Sequence, residues 1–80
     1  MNLDIIRQKR AINNRLVGLT EYLANKQGVT REAAFLKLIR TRTYTTLLKP
    51  KAKLYCESLE YVEDMLEAEF RGDWDYWLML

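Results

Sequence analysis

Cys56, Ser58 and the carboxylates of the C-terminal third are the side chains here that could do covalent or acid–base chemistry. None stands in a pattern that selects it for catalysis. The chain has no histidine, so the commonest general base at neutral pH and the commonest metal ligand are both missing. Neither Ser58 nor Cys56 has an imidazole to activate it, and Cys56 beside Tyr55 reads as a small buried residue. Glu60, Glu63, Asp64 and Glu67 offer oxygen ligands, and Asp73 and Asp75 match a fragment of a calcium loop, but the loop's central Gly and terminal Glu are absent. Gly18, Gly28 and Gly72 are isolated, so no glycine-rich loop cradles a phosphate. No catalytic residue, metal or cofactor is assigned, and a binding function is expected.

The pattern of charge favours binding. The formal net charge is only +2, yet residues 1–53 carry twelve basic side chains against three acids, while residues 54–80 carry eight acids against one base. Such asymmetry points to charged partners unless the two halves neutralise each other within the fold. On one reading the basic half binds nucleic acid, with Arg7, Arg10, Arg40 and Arg42 as the phosphate contacts. Against it, the turn of the helix-turn-helix that the middle of the chain suggests has no glycine, its second helix is short and threonine-rich, and eight acids follow.

On the other reading the acidic C-terminal helix presents Glu60, Asp64 and Glu67 to a protein partner, next to an aromatic end with Trp74, Tyr76 and Trp77. Trp and Tyr are enriched among the residues that dominate interface energy, and a charged face can steer the encounter. Tyr61 and Met65 would extend that patch along the helix. Alternatively, Trp74 and Trp77 fold back to complete the core.

The elements that must position these groups are helices. Ile5, Ile12, Leu16, Leu19 and Leu23 follow one another at steps of 7, 4, 3 and 4, which return to one side of a long first helix over Leu3 to Lys26. Arg7, Arg10, Asn14 and Glu21 lie on its solvated side. Gly28 is placed to end this helix in a left-handed cap, and Thr30 to cap a second helix that buries Ala34, Phe35, Leu38 and Ile39. Continuing that helix would bury Arg42, so a break is expected near Thr41. Tyr44, Leu47 and Leu48 then mark a short third helix that stops at Lys49, because Pro50 disfavours helical geometry before it. Lys51 to Glu57 is a connector, partly extended at Leu54, Tyr55 and Cys56. Ser58 caps a last long helix from Leu59 to about Arg71 with Leu59, Val62, Leu66 and Phe70 inward, and Gly72 closes it. The expected fold is all-α, a compact bundle of three main helices with one or two short extra helices, in one domain over residues 1–80. Its expected core is Ile12, Leu16, Leu19, Leu23, Phe35, Leu38, Ile39, Leu47, Leu59, Val62, Leu66 and Phe70.

The runs Gly28-Val29-Thr30-Arg31-Glu32-Ala33-Ala34-Phe35, Tyr44-Thr45-Thr46-Leu47-Leu48 and Glu57-Ser58-Leu59-Glu60-Tyr61-Val62-Glu63-Asp64-Met65-Leu66 resemble a group of small bacterial helical proteins of unknown function. The shared features are a Gly-Leu/Val-Ser/Thr entry to the second helix and a final helix entered through Ser or Gly with a Tyr-Val/Ile-x-Asp core. The likeness covers about residues 12–70. It implies a bacterial or mobile-element protein encoded beside toxin-like or ADP-ribosyltransferase-like partners, in an accessory or antitoxin-like role. The chain departs from the group in its basic first half and its Trp-rich end. The group's motifs are caps and core positions, so no catalytic residue carries over.

At eighty residues the core is modest, and a helical protein partner or a homodimer interface would supply further burial. One cysteine allows no intramolecular disulfide, which favours a reducing compartment. With neither a secretory start nor an apolar run of transmembrane length, no membrane role is expected and the location is expected to be cytoplasmic. The function expected is a non-enzymatic protein-binding module (adaptor, inhibitor or antitoxin-like accessory protein), with nucleic-acid binding as the alternative.

Overall fold

Residues 3–75 are described by the computed structural model. They form four α-helices with two short 3₁₀ turns, and contain no strand: α1 Leu3–Gln27, α2 Arg31–Leu38, α3 Arg42–Leu47, the turns Pro50–Ala52 and Leu54–Cys56, and α4 Leu59–Arg71. Helix α1 packs on α2, α4 and the second turn, and α3 packs on α4. No helix among the described residues is long and apolar enough to cross a membrane.

The boundaries follow local chemistry. Gly28, with φ 64°, ends α1, and the Val29 amide donates to the Ala24 carbonyl at 3.1 Å. Gly72, with φ 73°, ends α4 in the same way, with the Asp73 amide donating to Ala68 at 2.8 Å. These are Schellman-type ends that glycine enters without steric cost. Thr30, Thr41 and Ser58 cap α2, α3 and α4, each side-chain oxygen accepting an amide three residues on at 3.1 Å.

Leu19, Leu23, Leu38, Leu47, Val62, Met65 and Leu66 are fully buried, and Ile12, Ala34 and Leu54 join them. The expected core is corrected at several places. Phe35 and Ile39 are 40% and 38% exposed, because α2 is only two turns long and meets the core through Ala34 and Leu38, one position round the helix. Phe70 and Ile5 are also exposed, Ile5 lying in the first turns of α1 and Phe70 in the last turn of α4. Leu16 and Leu59 are half-buried at the core's edge. Met65, expected on a surface patch, is fully buried because α4 is flanked by α1 and α3 and so buries a broad face rather than one stripe. Leu54–Cys56 is a 3₁₀ turn rather than extended, entered through Lys53 at φ 55°. That turn buries Leu54 and leaves Cys56 exposed, contrary to its expected burial.

Where α1 passes the start of α4, a Cβ on Gly18 would lie 2.9 Å from the Leu59 methyls. The glycine there permits the close approach of α1 to the start of α4.

Candidate functional site

The acidic helix is divided by its packing. Glu60 and Asp64 are exposed on α4, one turn apart. Glu67, the third acid expected on that face, is half-buried: the Tyr22 hydroxyl donates to its Oε1 at 2.8 Å, and the Lys26 ammonium sits 3.6 Å from the same oxygen. Lys26 also donates to the Tyr22 oxygen at 3.3 Å. Burial, and then donation to Glu67, push the Tyr22 phenol up from its ordinary value. The Tyr22 contact and the Glu67 charge push the Lys26 ammonium up as well. Glu63 lies on the α1 side of the same helix, four residues after Leu59, and desolvation pushes its carboxyl up, with the charges of Glu60 and Asp64 adding to the shift.

Glu69, which was assigned no role from sequence, holds α3 in place. Its Oε2 accepts the Arg42 amide at 2.8 Å, and its Oε1 accepts the Thr43 amide and hydroxyl, both at 2.9 Å. The orphan amides of a helix start thus receive a carboxylate from another helix. No spacing rule could find this contact, since it crosses 27 residues of chain.

The aromatic end is partly visible. Trp74 is 46% exposed, and the Arg42 guanidinium carbon lies 5.2 Å from the indole centroid. Tyr76 and Trp77, the other aromatic residues expected at this site, lie outside the described residues. Phe70 is likewise 46% exposed, three residues after Glu67 and seven after Glu63, and so on the side of α4 that carries those acids.

Arg7, Arg10, Arg40 and Arg42 are all exposed but do not share one cleft. Arg7 lines a cleft with Asp4, Tyr55 and Cys56, whereas Arg40 and Arg42 line another with Thr45, Thr46 and Lys49. A third depression, a groove of about 470 Å³ between α1 and α2, has Leu16, Val17 and Phe35 in its wall and the Arg31–Glu21 ion pair, 3.1 Å, among its polar lining. Among the described residues, no group of three or more His, Cys, Asp or Glu could hold a metal ion.

The charged halves meet at a few points. Lys26–Glu67 joins them, and Arg15 Nε donates to the Glu57 carbonyl at 2.9 Å. Other pairs stay within one half, as Arg31–Glu21 and Arg71–Asp73 do. Exposed pairs of this kind contribute little stability. No protein-family model, curated protein or solved structure matches the chain.

Proposed function

We propose that this protein is a non-enzymatic protein-binding module, an adaptor, inhibitor or antitoxin-like accessory protein of bacterial or mobile-element origin that works in the cytoplasm. The observation that carries the reading is the exposure around the end of α4, where Phe70 and, just past the helix, Trp74 each keep nearly half of their surface, on a helix that also presents Glu60 and Asp64 to water. Large aromatics left in water at the end of a charged face can serve as anchors, and the charges can steer. The partner this chemistry fits is a protein with a basic rim around an apolar pocket. Glu67, tied to Tyr22 and Lys26, serves to position α4, and Tyr76 and Trp77 extend the aromatic anchor in sequence. The resemblance to small bacterial helical proteins with toxin-like neighbours agrees with such a role.

The test is capture from nuclease-treated bacterial lysate by the full chain and by a Phe70→Ala, Trp74→Ala variant whose helical content is checked by circular dichroism. A protein retained by the full chain and lost by the folded variant is expected. Equal capture by the folded variant defeats the reading.

A further inference from the structure

We propose that the outward face of α3 is a docking surface for the phosphate backbone of a nucleic acid. The proposal stands apart from the protein-binding reading, on other residues. Arg42, Thr45 and Thr46 stand at i, i+3 and i+4 on α3, and Lys49, in extended backbone two residues past its end, lines the same cleft as they do. Arg40, in the turn before α3, completes a cleft with them whose volume is about 350 Å³.

The composition of this cleft decides between partners. Its lining is Arg, Lys and Thr throughout, with no acid and no apolar side chain. A protein partner would need an apolar anchor at the centre of its contact, and Lys and Thr are poor at supplying interface energy. Phosphate oxygens, by contrast, are met mainly by Arg and Lys with hydroxyl donors in support. Among the described residues, the side chains of Arg40, Thr46 and Lys49 have no hydrogen-bond or ion-pair partner, so their side-chain donors are not already spent inside the fold. The acid that does reach α3, Glu69, has both oxygens taken by the Arg42 and Thr43 amides and the Thr43 hydroxyl.

The same reasoning removes Arg7 and Arg10 from the contact. Arg7 shares its cleft with Asp4, so a phosphate there meets a carboxylate as well as a cation. Arg10 is exposed on α1 but lines neither cleft.

The experiment is fluorescence anisotropy of the full chain with a labelled DNA duplex and a labelled single-stranded RNA, each of mixed sequence, over a salt series. Three neutralised phosphates predict a slope of about −2.7 for log K against log salt on the duplex, so that affinity falls about 40-fold between about 50 and about 200 mM salt. Arg40→Gln with Lys49→Gln should cut that slope to about −0.9, and Lys49→Gln alone to about −1.8. Arg7→Gln with Arg10→Gln should leave affinity within about twofold and the slope unchanged. All variants are matched for helical content by circular dichroism, and the single variant serves if the double does not fold. The proposal is overturned by no anisotropy change with either probe at the lowest salt, or by an equal loss in the α1 variant. Displacement of the probe by polyglutamate at matched charge also overturns it, because the face would then recognise acidic protein surfaces in general.

Discussion

Glu69 shows how one carboxylate can decide a local structure. Helix α3 is six residues long and contains three threonines, a composition with poor intrinsic helix preference. It forms because Thr41 closes one end of α2 and opens α3: its hydroxyl donates to the Leu38 carbonyl at 2.7 Å and its oxygen accepts the Tyr44 amide at 3.1 Å. Glu69 accepts the two amides between them, those of Arg42 and Thr43. Glu69→Ala removes a charged acceptor from three donors at once, two of them on fully buried Thr43. The expected loss is about 2–3 kcal/mol by urea denaturation, against about 1 kcal/mol for a single neutral hydrogen bond. A loss below about 0.5 kcal/mol would mean that α3 stands without this acceptor. Because α3 carries the basic face, the same variant should also weaken any ligand held there.

At the scale of elements, burial is set by how many neighbours a helix has. Helix α4 lies between α1 and α3 and buries Val62, Met65, Leu66 and Ala68, which is a wide sector. Leu66→Ala leaves a cavity in that sector and should cost about 2–5 kcal/mol. Leu16 shared the inward stripe by spacing, yet it is half-buried and lines the open groove between α1 and α2. Leu16→Ala should cost less, about 1–2 kcal/mol, since water already reaches the site and no closed cavity is left. The pair is compared by chemical denaturation, and equal losses would contradict the placement of α2. Helix α2 shows the opposite limit: it meets the core through Ala34 and Leu38 only, which leaves Phe35, Leu36 and Ile39 outside.

Across the whole molecule, stability should depend on pH through Glu63 at the acid end and through Tyr22 and Lys26 at the alkaline end. The folded carboxyl of Glu63 is pushed above its unfolded value, so the folded state binds more protons there and loses stability as pH rises through the carboxylate range. Glu63→Gln should therefore be more stable than the parent at neutral pH, and the gap should close once the pH falls below that range. Thermal melts at a series of pH values check this, and a gap that widens on acidification reverses the sign. The raised values of Tyr22 and Lys26 act at the other end: their contact with Glu67 contributes through neutral pH and is lost only as both groups deprotonate. With a total stability of about 5–15 kcal/mol to draw on in a domain of ordinary margin, single losses of the size expected at Leu66 or Glu69 are large.

The sequence by itself determined the all-α class, the helix ends and most of the core, because these depend on neighbours close along the chain. Gly28 and Gly72 supply positive φ, Thr30, Thr41 and Ser58 cap amides three residues on, and the spacing of Leu19, Leu23, Leu38, Leu47, Val62 and Leu66 sets one face inward. Only the tertiary structure decided which acids face water. Glu67 and Glu69 carry the same charge two residues apart, but one meets α1 and the other α3, and neither partner is within reach of a local pattern. It also decided that Phe35, Ile39 and Phe70 stay outside while Met65 goes in. Helical periodicity gives the direction in which a side chain points; whether another helix stands there to cover it depends on packing between segments far apart in sequence.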